Sequence, residues 1–426
     1  MSKVRFILVA LICESPAILL WDGLITQSLV TGAVAASMMI TVRALRPGET
    51  KFFVSIIRPL VVTAALPALW MAVQVIPLRA LAHPIWKSAE VALGHPLIGT
   101  ISIDPGASVL ALSQYLAMIA VAFLSAAVAV DRQRAEWLLF ALTGACTLIG
   151  LIVLLHVSFS SGAGLPLFVP AQAIDCASIG TIIASAATIR AIERYETHHS
   201  SPPALLRTFI TSSVALVICI LAVLLGGARQ VLVAVACGCA TLVWIRIMRR
   251  FALPGLTFTV VIVSVTLVAI FLAMVRPIEG GKTLLLAFAT SSSATTAASE
   301  RMLADTPLAG TGAGTFAALL PIYREINDSP TGPIAATAAA IVAIELGKPM
   351  FWLIVFTTVA FIFMLFRASL HRGRDSFYPA MGGACLVTLL VLAFSNAGLL
   401  GTAISLITAA ALGLAFAQSK SRTIQS

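Results

Sequence analysis

The run Trp137-Leu-Leu-Phe-Ala-Leu-Thr-Gly-Ala-Cys-Thr-Leu-Ile-Gly-Leu-Ile-Val-Leu-Leu-His-Val157 carries no Asp, Glu, Lys or Arg over 21 residues. A hydrocarbon core roughly 30 Å thick is crossed by about 20 such residues in a helix, so the run reads as a membrane span. The rest of the chain repeats the pattern. A chain of 426 residues could hold two soluble domains, but 60% hydrophobic content and 10% charge with a mean hydropathy of +1.04 point to a polytopic membrane protein.

Apolar windows place spans near 4–21, 24–43, 53–75, 107–130, 137–157, 173–190, 208–226, 230–247, 254–275, 349–367, 379–396 and 399–417. The expected fold is all-α, a single membrane domain over 1–426 with about 12 transmembrane helices. The amino-terminal Met-Ser-Lys-Val-Arg and the apolar run after it imitate a secretory signal, but no small-residue cleavage site follows, so the segment is expected to stay as the first span.

Basic residues fix the expected orientation. Of the 27 Lys and Arg, 18 fall at the two termini and in alternate connections, 8 on the other side, and Arg58 lies within a span. Short loops rich in Lys and Arg are retained in the cytoplasm, which puts both termini there. The +10 charge is then mostly topology, and no nucleic-acid partner is expected. The segment Ile334–Leu346 is apolar but only 13 residues long, short for a crossing. It is expected as a surface or re-entrant helix inside a long outer loop over 276–348.

The seven cysteines stand singly or as Cys237-Gly-Cys239 in apolar runs, without metal-ligand or disulfide spacing, and read as small buried hydrophobes. His198-His199 lacks further ligands at metal spacing, and His83 and His95 are lone loop histidines. Glu14, inside the first span, is an intramembrane carboxyl with either a functional or an interhelical role, whereas Asp22 and Asp175 sit near span ends.

One stretch of the outer loop looks foreign to a membrane chain: Glu300-Arg-Met-Leu-Ala-Asp-Thr-Pro-Leu-Ala-Gly310-Thr-Gly312-Ala-Gly314-Thr-Phe316. A dinucleotide fingerprint would need glycine where Thr315 stands, and a phosphate-binding P-loop would need Gly-Lys-Ser/Thr. Two readings stay open. The glycines form a tight turn between helices, or their amides and the following helix start form an anion site. Arg229 at an outer span end, with Arg301 and Arg324 flanking the turn, suits a diphosphate whose lipid tail lies in the bilayer, since guanidinium offers a fixed fork of donors to phosphate. Snorkelling, or pairing with Glu300, Asp305, Glu325 or Asp328, would equally account for any one of them.

In order along the chain, Ile101-Ser-Ile-Asp104-Pro105, Leu225-Gly-Gly-Ala-Arg229, the Arg301 to Phe316 stretch and Ile341-Val-Ala-Ile-Glu345-Leu-Gly347 resemble elements of the bacterial O-antigen ligase and polymerase superfamily. The central glycine element is the most specific of these. Members are membrane glycosyltransferases that use undecaprenyl-diphosphate-linked sugars on the periplasmic face of the inner membrane. The resemblance implies a polyprenyl-diphosphate-linked glycan as donor, a glycan or lipid-linked acceptor, membrane lipids and polysaccharide-assembly proteins as further partners, and neither metal nor other cofactor. Arg229 and Arg301 would stabilise the departing diphosphate, with Arg324, Gly310, Gly312, Gly314 and Asp328 binding substrate. The family's His-Asn is replaced by Ala336-Thr337, and the serine before the first arginine by Ala228. Glu325, Asp328 or Glu300 is then left to take the acceptor proton, Glu325 first among them, while Glu345 reads as a helix-terminal structural residue. A catalytically impaired relative that binds lipid-linked glycan or scaffolds an assembly complex is the alternative. A secondary transporter fits less well, because no internal repeat is visible.

Overall fold

A computed structural model describes residues 2–44, 47–160, 171–196, 202–227, 229–251, 285–286, 288–289, 293–324, 337–372 and 375–420. The protein is an all-α, multi-pass membrane protein, and the described residues contain no strand. Among the described residues, eight helices are long and apolar enough to cross a membrane. They belong to α3 (Leu24–Ala44), α4 (Pro47–Val75), α6 (Pro105–Ala129), α7 (Arg132–Ser160), α8 (Ala171–Glu196), α9 (Pro202–Gly226), α10 (Arg229–Phe251) and α14 (Lys348–His371). Shorter helices complete the bundle: α1 (Ser2–Cys13), α2 (Ser15–Leu20), α5 (Ile85–Leu93), α11 (Ser293–Asp305), α12 (Phe316–Tyr323), α13 (Ala338–Leu346), α15 (Phe377–Ala393) and α16 (Thr402–Ala417).

Eleven of the expected spans coincide with described helices, and the segment 254–275 lies outside the described residues. The first expected span is two helices. Pro16 has no N–H to continue the ladder, so α1 ends at Cys13 and α2 restarts after Glu14, whose side chain is exposed on the outside of the bundle. The 334–346 segment, where described, is the nine-residue α13. Six of its residues are buried, so it sits within the bundle instead of lying on its surface.

The bundle closes around α8, which is 78% buried over its span window. Its small residues let neighbours approach, as packing in lipid requires. A Cβ at Gly180 would come within 2.6 Å of the Cys146 Cβ on α7 and 3.1 Å of the Cys219 Sγ on α9. Cys146, Cys176, Cys219 and Cys385 are buried in this core, Cys237 and Cys239 are half-buried and Cys13 is exposed.

Hydrogen bonds sort the helix ends into two faces. At one, Arg132 Nη2 pairs with Asp375 at 3.0 Å, Arg190 and Arg194 both reach Glu136, and Arg372 Nη2 donates to Gln418 Oε1 at 3.0 Å. We call this the arginine end. At the other, Asp22 accepts from Gln27 at 3.3 Å, Gln172 at 3.1 Å and Thr402 at 3.0 Å, joining the starts of α3, α8 and α16. The 300–316 stretch lies at this second, glycine end.

Candidate functional site

The glycine turn is a backbone junction. Gly310, Gly312, Gly314 and Gly347 have φ of 81°, 110°, 77° and 89°, the left-handed region that glycine alone adopts without strain. The Thr311 amide donates to the Ile344 carbonyl and the Gly312 amide to the Glu345 carbonyl, both at 3.0 Å, locking the turn onto the end of α13. A Cβ at Gly310 would overlap the Glu345 carbonyl, and one at Gly347 the Leu308 carbonyl. On the other side, Ile103 donates to the Thr311 carbonyl at 3.0 Å and Ser108 to the Ala313 carbonyl at 2.8 Å, tying in the start of α6.

Gln74, fully buried at the end of α4, completes the junction. Its Nε2 donates to the Ala309 and Glu345 carbonyls at 3.0 and 2.9 Å, and its Oε1 accepts from the Ala313 amide at 3.2 Å. Trp70, one turn earlier, donates from Nε1 to the Leu346 carbonyl at 2.9 Å. The resemblance picked out segments near residues 101, 310 and 345, and they meet here. Nothing in the sequence pointed to Gln74 or Trp70, because each reads as an ordinary residue of a span.

The amide of Gly310 is donated to Pro307, that of Gly312 to the Glu345 carbonyl, and that of Gly314 to the Glu345 carboxyl. The Phe316 amide, at the start of α12, also donates to Glu345 Oε1 at 3.1 Å. Of the two readings of the turn, the tight junction therefore describes its geometry. The positive end of α12 is already occupied by a carboxyl of the protein's own, that of Glu345 on α13.

Glu345 also lines a cavity of about 530 Å³. Gly314, Gln27, Gln114, Thr402 and Ser405 stand beside it, and the walls continue into the bundle as Leu60, Ala64, Met118, Ile119, Ala122 and Leu412. The cavity thus has a polar head at the glycine end and an apolar trough between α4, α6 and α16. Gln114 donates to Gln27 Oε1, and Gln27 in turn to Asp22 at 3.3 Å, so the head is held by a chain of side-chain amides. Burial pushes the Glu345 carboxyl up from 4.5 to about 7, against the pull of the two amides that favour its ionised form.

The other expected site residues are spread over the same end. Arg229 is exposed at the start of α10, Arg301 is exposed on α11 with Nε donating to Ala297 at 3.4 Å, and Arg324 is partly buried just past α12. Helices α11 and α12 pack on each other and on α13, which places Arg301 and Arg324 in one cap over the junction. None of the three arginines is among the residues lining the cavity. Glu325, Asp328, Ala336 and Ala228 lie outside the described residues, as do His198 and His199. Thr337 is fully buried as the N-cap of α13, accepting from Ala340 at 3.1 Å and donating to Leu285 at 3.0 Å. His83 is a loop brace whose Nδ1 accepts from Ile85 at 3.3 Å, and burial holds its pKa below the ordinary value. Asp104 caps α6, accepting from Ala107 at 3.0 Å.

Comparisons with protein-family models, with curated proteins and with solved structures find no match to this chain.

Proposed function

We propose that this membrane protein transfers a glycan from a polyprenyl-diphosphate donor to a sugar hydroxyl, as the resemblance to O-antigen ligases and polymerases implies. The observation that carries the reading is the cavity beside the glycine junction, whose polar head holds a protonatable carboxyl while its apolar trough runs into the bundle. A ligand with a sugar head and a lipid tail has that same division.

In this reaction the acceptor oxygen attacks the anomeric carbon, and the bond from that carbon to the diphosphate breaks. The electron pair leaves with the diphosphate. Arg229 and Arg301, with Arg324 a weaker third, neutralise the developing charge from outside the cavity lining, at the same end of the bundle. The acceptor proton passes to a carboxylate, and Glu345 takes this role ahead of Glu325, Asp328 and Glu300 because it lines the cavity. The glycines serve by holding Glu345 against the start of α12. The excess of Lys and Arg at the opposite helix ends supports a periplasmic glycine end and cytoplasmic termini in a bacterial inner membrane.

One observation favours the alternative of a binding or scaffolding relative. Position 336, where the family carries the histidine linked to transfer, is an alanine, whose methyl group can neither accept nor donate a proton. Purified protein in liposomes, given a polyprenyl-diphosphate glycan and an acceptor, separates the two. Transfer that falls about 100-fold or more in Arg301→Ala and in Glu345→Gln supports the enzyme. Donor binding without transfer by the wild type supports the relative, and absence of both sinks the proposal.

A further inference from the structure

A second cavity, of about 400 Å³, opens between α8, α10 and α15 at the arginine end. Arg246, Arg249 and Arg250, spaced three and four residues apart on one face of α10, line it together with Glu193, the one carboxylate among the described lining residues. Arg249 Nη1 stands 3.8 Å from Glu193 Oε1 and also donates to the Ser376 hydroxyl, so it is braced across two neighbouring helices. One turn deeper along α10 the lining becomes apolar, at Leu242 and Ile245.

The negative end of a helix accounts for arginines in its last turn. It does not account for three of them converging on one hollow with an apolar floor. Among its described lining residues, three guanidinium groups stand against one carboxylate, an excess of positive charge where a span meets water.

We propose that this pocket binds a phosphate ester, the headgroup of an anionic membrane lipid whose first chain carbons rest on Leu242 and Ile245. Guanidinium groups present paired donors that match phosphate oxygens, and basic pockets between membrane helices suit such headgroups. A soluble phosphate would share the charged rim but would leave the apolar floor uncovered. The site is independent of the glycan-transfer reading and lies at the opposite end of the bundle.

The test is lipid retention. Protein reconstituted in phosphatidylcholine vesicles containing about 20% phosphatidylglycerol is extracted in mild detergent, and its bound lipid is measured by mass spectrometry. Wild type is expected to carry phosphatidylglycerol several-fold above its share of the vesicle. The variant R246Q/R250Q, which spares the bracing Arg249, is expected to lose that enrichment, while R207Q, which removes an exposed charge on α9, is expected to keep it. Phosphate bound by the purified wild type, with no phosphatidylglycerol enrichment, would overturn the lipid headgroup in favour of a soluble ligand. Equal enrichment in wild type and R246Q/R250Q, or a loss that R207Q reproduces, would overturn the proposal.

Discussion

Glu345 shows how much one side chain can be asked to do. Its carbonyl receives Gln74 and Gly312, its carboxyl receives the amides of Gly314 and Phe316, and the same residue faces the cavity. An unfolded glutamate releases its proton near 4.5, whereas this one holds it to about 7. Between those values the folded state binds more protons than the unfolded one, so unfolding free energy falls as pH rises through the window, by at most about 1.4 kcal/mol per unit. Glu345→Gln should flatten that part of the stability–pH profile, measured by thermal unfolding in detergent; an unchanged profile would count against the burial argument. Gly347 is as demanding in backbone terms. With φ at 89° and the Leu308 carbonyl where a Cβ would stand, Gly347→Ala should cost at least about 2 kcal/mol and lower the midpoint of thermal unfolding.

Short elements at the glycine end depend on their caps. Helix α13 has nine residues and is too short to be stable by itself, so Thr337 at its N-cap and the Gly347 break at its end define it. Thr337→Val removes the acceptor for the Ala340 amide and the donor to Leu285, and should destabilise by about 1 kcal/mol, while Thr337→Ser should restore most of it. Both readouts are chemical or thermal melts. The cap was not visible as such in the sequence, since Thr337 was noted there only as a replacement. By contrast, Asp104-Pro105 carries its own start signal, a capping carboxylate followed by a proline that needs no N–H, and α6 begins there.

Across the molecule, a junction of α4, α6, the glycine turn and α13 organises one end, and arginine–carboxylate clusters organise the other. Gln74 is where these elements meet. Gln74→Leu would strand the Ala309 carbonyl and the buried Ala313 amide and should cost about 2 kcal/mol or more, with loss of the proposed transfer because the junction shapes the cavity head. A melt unchanged from wild type would show that the junction holds without it.

Composition and apolar run length alone determined that the chain is helical and crosses a membrane several times, because a span must satisfy its backbone internally and face hydrocarbon over about 20 residues. Glycine also marked the turn, whereas the break near Glu14 fell inside what reads as one continuous apolar run. Only the tertiary structure decided which acid stands at the cavity and what the glycine amides bind. Those outcomes depend on carbonyls and side chains brought together from positions as far apart as Gln74 and Glu345, and no local spacing encodes such a meeting.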